Sequence, residues 1–171
     1  SDENECRQLL YTAYQYEGPA AVRYPRGNGT GAEIIDAMTV LPVGKAIKKR
    51  SGHDVAILNF GVLLAESMTA GEALNATVID MRWAKPLDEA LVLEVARTHR
   101  QLITVEENSL AGGAGSAVAE LLAREGVECR LHPIGIPDQW MDHASQDQNR
   151  EAAGLTADAI IKAGERAFDT P

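Results

Sequence analysis

Asp54-Val55-Ala56-Ile57-Leu58-Asn59-Phe60 is the stretch that decides the fold. Its unbroken apolar run, Val55 to Leu58, is what a strand covered on both faces requires, as in a parallel sheet. Reading toward the N-terminus, Val43–Arg50 is a second strand, and Ser51-Gly52 between the two is a turn signal that predicts an antiparallel hairpin. Reading toward the C-terminus, a helix at Leu63–Leu74 precedes a strand at Ala76–Met81. Asp88 then caps a helix whose Leu91, Val92, Val95 and Ala96 face inward, with Leu87 placed to staple against Val92. Leu102–Glu106 is a further strand, followed by a helix at Ala114–Glu125 that stops at Gly126. Val127–Ile134 alternates apolar and polar residues, and Pro133 places that strand toward an edge. Ser145 caps Gln146–Ala153, Gly154 stops it, and Thr156 caps a last helix through about Ala167. Strands and helices alternating at this spacing predict an α/β fold. Its sheet is mostly parallel, of about five strands, with helices on both faces and one antiparallel edge strand.

The first 40 residues follow a different pattern. Ser1–Tyr16 reads as a helix, capped by Asp2 with Glu5 three residues later, and Cys6, Leu9, Leu10, Ala13 and Tyr14 recur on one face. Gly18-Pro19 ends it, and Ala20–Tyr24 reads as a short strand. Gly27, Gly29 and Gly31, interleaved with Asn28 and Thr30, have the composition of a linker. One helix and one strand bury too little apolar surface to fold alone. The expected division is therefore 1–27 as the end of a preceding domain, 28–40 as a linker and 41–171 as the principal domain. On this reading the body of the first domain lies upstream, so the chain is the end of a longer polypeptide and is not expected to be catalytically competent alone.

The 171 residues fit one ordinary domain. A formal net charge of −9 leaves no basic stripe for a nucleic acid. The local run Lys45, Lys48, Lys49 and Arg50 reads as a solvated strand edge guarded by lysine. No apolar run reaches the roughly twenty residues of a membrane helix. The two cysteines, Cys6 and Cys129, lack a C-x-x-C spacing, which with the rest predicts a soluble protein of the reducing cytoplasm.

Several residues invite a chemical reading. Gly112-Gly113-Ala114-Gly115, between a strand and a helix, stands where backbone N–H groups can cradle a phosphate. As a dinucleotide fingerprint it fails, because the third glycine position is Val118, and a tight strand-to-helix turn is the expectation. His53, His99, His132 and His143 are scattered, which gives no metal site. Glu106 and Glu107, as strand neighbours, point to opposite faces and do not converge as an acid–base pair. Arg23 and Arg26 flank Pro25 at the end of the Ala20–Tyr24 segment, and two guanidinium forks there suit an anionic group such as a phosphate. For Arg23 a salt bridge between the two domains is an equal alternative.

Four segments in order carry a resemblance: Ser1-Asp2-Glu3-Asn4-Glu5; Ala21-Val22-Arg23-Tyr24-Pro25-Arg26-Gly27; Asp80-Met81-Arg82-Trp83-Ala84-Lys85-Pro86-Leu87-Asp88; and Val105-Glu106-Glu107-Asn108 with Gly112–Ser116. Together they closely resemble the C-terminal end of the bacterial 1-deoxy-D-xylulose-5-phosphate synthases, a thiamine-diphosphate family of the transketolase superfamily. The resemblance implies a transketolase C-terminal-domain fold, preceded by the end of a pyrimidine-binding domain. It implies a transferase that condenses pyruvate with D-glyceraldehyde 3-phosphate, releasing CO2, to supply isoprenoid, thiamine and pyridoxol precursors. Thiamine diphosphate and Mg2+ would be held by an upstream part, since the Gly-Asp-Gly diphosphate motif is absent here, and the hard chemistry would be the cofactor's. The enzyme would be a cytoplasmic homodimer, with this segment stabilising fold and dimer. Arg26 resembles the arginine that binds the phosphate of glyceraldehyde 3-phosphate, with Arg23 as its companion. No other catalytic, cofactor-binding or metal-binding residue carries over. Two rivals are the C-terminal part of a 2-oxo acid dehydrogenase β subunit, which would pass an acyl group to lipoamide, and a non-catalytic interaction module.

Overall fold

The computed structural model describes residues 1–166 of the 171. In chain order its elements are α1 (Glu3–Gln15), β1 (Ile47–Arg50), β2 (Val55–Phe60), α2 (Leu64–Ala73), β3 (Thr77–Asp80), α3 (Glu89–Thr98), β4 (Gln101–Ser109), α4 (Ala114–Arg124), β5 (Arg130–Ile136), α5 (Gln146–Ala152) and α6 (Ala157–Glu165). The last expected helix is present as α6, and its expected end at Ala167 lies outside the described residues.

The order across the sheet is β1-β3-β2-β4-β5. β2 takes the central place because both its faces are apolar: Val55, Ala56, Ile57 and Leu58 are fully buried. Alternate residues of β2 feed two cores. Val55 and Ile57 pack with Leu63, Ala70, Ile160 and Ala163 under α2 and α6. Ala56 and Leu58 pack on the other face with Val92, Val95, Val118 and Leu121 under α3 and α4. Each such valine, leucine or isoleucine side chain contributes about 2 kcal/mol by leaving water. β2 runs parallel to β3 and to β4, and β4 runs parallel to β5. β1 is the one antiparallel strand, and with its Lys48, Lys49 and Arg50 it forms a sheet edge. Pro133 lies in β5 at the opposite edge, the position in a sheet where a missing N–H is tolerated.

The expected hairpin is not formed. β1 pairs with β3, with Ile47 opposite Asp80 and Lys48 opposite Ile79, and β2 lies beyond. Gly52 shows why the turn opens into a crossing. Its N–H donates to Thr77 Oγ1 at 3.0 Å, and a Cβ there would lie 2.1 Å from the Asn75 carbonyl oxygen. The chain therefore passes tightly beneath the start of β3 and enters the sheet on its far side. Asp88 secures the arrangement: its carboxylate caps α3 at Leu91 N–H and also accepts from Ala46 N–H at 3.1 Å and Lys45 Nζ at 3.4 Å.

Two expectations about the first 27 residues also change. Ala20–Tyr24 is irregular and not a strand, because no strand of the sheet runs beside it to supply a hydrogen-bond ladder. In α1, Leu10 and Tyr14 are exposed, and the buried residue is Thr12. The packed side of α1 is a polar stripe at four-residue spacing, Asn4, Gln8 and Thr12. Asn4 bonds the backbone of Glu33 and Ile35, Gln8 that of Ala37 and Thr39, and Thr12 Oγ1 accepts from Leu41 N–H. Residues 30–41, which take in most of the expected 28–40 linker, are thereby a strap tied along α1.

The strap's first tie is Glu3, whose carboxylate accepts from Thr30 Oγ1 at 2.8 Å and Gly31 N–H at 2.7 Å. The Thr30 hydroxyl first, and then the Gly31 N–H, hold its pKa down to about 2 from 4.5. A depressed carboxyl pKa means that the tie is fully present above pH 4.5 and is lost as the pH falls toward about 2. An NMR titration of the Gly31 and Ala32 amides is expected to show a midpoint near 2; a midpoint at the ordinary glutamate value would show that Glu3 does not hold the strap.

Candidate functional site

The chain order reverses direction at β2 and β4. From β2 the chain crosses through α2 to β3 on one side. From β3 it returns through α3, over the opposite face, to β4 on the other side. The connections leaving β2 and β4 thus diverge, which opens a crevice at the C-terminal ends of these two strands, where open α/β sheets place their ligands. A cleft of about 840 Å³ lies here, lined from the sheet by Phe60, Gly61, Glu106, Glu107 and the Gly112–Ala114 turn, and roofed by Tyr16 and the Pro19–Pro25 segment.

The glycine turn does cradle an anion, and the anion belongs to the chain itself. Glu106 is buried, and its two carboxylate oxygens accept from Ala114 N–H and Gly115 N–H, both at 2.8 Å. These are orphan donors of the first turn of α4, and the positive end of the helix favours the negative charge. The glycines make room for it. A Cβ on Gly113 would lie 2.4 Å from the Ser109 carbonyl and 2.5 and 2.6 Å from the Glu106 oxygens; one on Gly115 would lie 2.6 Å from Thr104 Oγ1. Gly113→Ala is therefore expected to destabilise the domain by about 1–3 kcal/mol through overpacking, measurable by urea unfolding. The motif is a strand-to-helix turn satisfied from within, as the displaced third glycine suggests.

Glu107 points away from its neighbour, to the other side of β4, and serves a different set of groups. Its carboxylate accepts from Arg150 Nε at 2.7 Å and from Gln146 Nε2 at 3.5 Å, both on α5. Its carbonyl accepts from Arg23 Nη2 at 3.0 Å. Arg23 is thus tied to the main chain of β4. Arg26 is exposed and makes no hydrogen bond or ion pair among the described residues. The structure separates the two arginines that flank Pro25: one is anchored and one is available.

A second connection between α1 and the sheet escaped the sequence. Arg82, just after β3, has φ of 56° and pairs with Glu5 on α1, with both side chains about nine-tenths buried. A left-handed arginine has no sequence signal of its own. Only the acidic Ser1–Glu5 and basic Arg82–Lys85 composition offered a hint of attraction. The histidines do not converge. His99 bonds Thr77 Oγ1 at 2.9 Å and the Val95 carbonyl at 3.0 Å, and burial lowers the pKa of both His99 and His132. Cys6 and Cys129 are free thiols.

Residues 44–160 match the family model of the transketolase C-terminal domain. The chain belongs to the transketolase C-terminal-domain family. Within it, the chain is homologous to the C-terminal region of 1-deoxy-D-xylulose-5-phosphate synthases. It is 56% identical to that of Shewanella amazonensis, over 98% of this chain and 27% of the relative. It is 55% identical to that of Cellvibrio japonicus, over 94% of this chain and 25% of the relative. The chain thus spans about a quarter of the length of the curated relatives it matches. Among solved structures it superposes on a split-gene transketolase, described as an inactive beta4 tetramer, with a TM-score of 0.71 and 32% identity. That match covers 77% of this chain and 44% of the other. Transketolase from Leishmania mexicana, 16% identical with a TM-score of 0.54, covers 75% of this chain and 18% of its own and shares the fold. The transketolase C-terminal-domain fold, with four parallel strands and one antiparallel edge strand, is therefore established by both comparison and geometry. Among the described residues no helix is long and apolar enough to cross a membrane.

Proposed function

We propose that this chain is the C-terminal part of a 1-deoxy-D-xylulose-5-phosphate synthase, a transferase that condenses pyruvate with D-glyceraldehyde 3-phosphate to give 1-deoxy-D-xylulose 5-phosphate and CO2. The observation that carries the proposal is identity of 53–56% to synthases across nearly the whole chain. In this reading residues 1–27 end the pyrimidine-binding domain, 28–40 connect, and 41–171 form the C-terminal domain. The synthase works as a cytoplasmic homodimer, to which this domain lends stability.

Thiamine diphosphate and Mg2+ belong to that activity, but the described residues do not fit them. No three His, Cys, Asp or Glu side chains among these residues group to hold a metal ion. The helix N-terminus that could take a diphosphate is already filled by Glu106. The contribution of this chain to chemistry is instead Arg26, which binds the phosphate of glyceraldehyde 3-phosphate. Its guanidinium is exposed and uncommitted, and Pro25 fixes the backbone beside it. The complete enzyme is expected to release CO2 from pyruvate and form deoxyxylulose phosphate when glyceraldehyde 3-phosphate is supplied. Lipoamide-dependent NADH production in its place would overturn the assignment in favour of a 2-oxo acid dehydrogenase.

A further inference from the structure

The arginine offered to the substrate has no side-chain partner of its own, so its aim depends on how the backbone around it is held. Both flanks of the Arg23–Gly27 segment lead to one residue. On the N-terminal side, Arg23 Nη2 donates to the Glu107 carbonyl at 3.0 Å. On the C-terminal side, Gln146 packs against Gly27 so closely that a Cβ there would lie 2.4 Å from Gln146 Oε1. The Gln146 amide nitrogen in turn donates to Glu107 Oε1 at 3.5 Å, and Arg150 Nε holds the same oxygen at 2.7 Å. Between these two ties lie only Tyr24, Pro25 and Arg26. Proline fixes its own φ and restricts the residue before it, so few backbone torsions remain free.

We propose that Glu107, on the C-terminal domain, is the positioning residue for Arg26. It holds one side of the segment through its carbonyl and the other through Gln146. This rests on the reading of Arg26 as the phosphate-binding arginine. The Glu107 carboxylate is itself held in place by its ion pair with Arg150 at 2.7 Å. The clamp lies across sequence separations of 84 residues for Arg23 and 39 for Gln146. The C-terminal domain thus acts on substrate selection without touching the substrate.

The test is steady-state kinetics on the complete, cofactor-loaded enzyme with Glu107→Ala, Gln146→Ala and Arg26→Ala. Each runs with glyceraldehyde 3-phosphate and with unphosphorylated D-glyceraldehyde as acceptor. Glu107→Ala leaves its own carbonyl in place for Arg23 and removes only the support of Gln146, so it and Gln146→Ala are both expected to raise KM for the phosphorylated acceptor about 3- to 5-fold. KM for pyruvate, KM for D-glyceraldehyde and kcat are expected to stay within about twofold. In an Arg26→Ala background, Glu107→Ala is expected to add nothing, because the two act on one contact. The positioning proposal is overturned if Glu107→Ala worsens both acceptors equally, or if its effect multiplies undiminished on that of Arg26→Ala. If Glu107→Ala does not yield folded enzyme, Gln146→Ala alone decides, and an unchanged KM then rejects the proposal. An Arg26→Ala enzyme with normal KM for glyceraldehyde 3-phosphate rejects the underlying reading instead. A neutral Glu107→Ala beside an impaired Arg26→Ala rejects only the clamp.

Discussion

Replacing Arg26 by alanine in the complete enzyme is expected to raise KM for D-glyceraldehyde 3-phosphate about 10- to 150-fold while leaving KM for pyruvate within about twofold. The magnitude follows from the contact. A hydrogen bond to a charged group contributes about 1.5–3 kcal/mol, and each 1.4 kcal/mol is a factor of ten in binding. The selectivity follows from chemistry, since the phosphate dianion is the part of that substrate that a guanidinium fork fits and pyruvate has none. Arg26→Lys is expected to recover only part of the loss, because an ammonium restores charge without the planar pair of donors. The side chain is exposed and supports nothing else among the described residues, so thermal stability is expected to be unchanged. Equal KM values for the phosphorylated substrate in wild type and Arg26→Ala would remove the residue from the site.

The largest effect on stability is expected at Glu106. Glu106→Ala removes the acceptor for both Ala114 N–H and Gly115 N–H at a buried helix start and leaves a void beside two glycines that have no side chains to fill it. Each orphaned buried donor costs about 1–3 kcal/mol, and the lost attraction to the helix end adds to this. A loss of about 3–5 kcal/mol is expected, or a fall in Tm of about 10 °C for a domain of this size. Glu106→Gln keeps one acceptor oxygen but turns an NH2 group toward the other N–H, so it is expected to recover less than half. Chemical denaturation of the three proteins decides. A loss below about 1 kcal/mol in Glu106→Ala would mean that water satisfies the α4 turn as well as the carboxylate does.

The contrast between these two glutamates marks the limit of what was legible. Alternation along β4 correctly sends Glu106 and Glu107 to opposite faces, because the period of a strand is a property of the backbone. The caps were legible for a similar reason. Asp2, Asp88, Ser145 and Thr156 each accept from an N–H three residues on, with a full capping box at Ser145 and Gln148, so the partners lie inside the reading window. The polar stripe Asn4, Gln8 and Thr12 is present in the sequence as a four-residue spacing, but hydrophobic periodicity points instead to Leu10 and Tyr14. A helix that packs on a strap's backbone needs amide and hydroxyl groups, and hydrophobic periodicity does not report them.

By itself, then, the sequence determined the alternating elements, the central burial of Val55–Leu58, the helix boundaries and the family, all of which rest on local backbone preferences or on motif order. Only the tertiary structure decided that β1 pairs with β3, that the glycine turn holds Glu106, that Ala20–Tyr24 is not a strand, and that Arg23 is anchored while Arg26 is left available. The physical reason is common to these. Each depends on which backbone donor or acceptor meets which partner across an intervening loop, and chain closure over such distances is governed by packing of the whole sheet, to which no short stretch of residues has access.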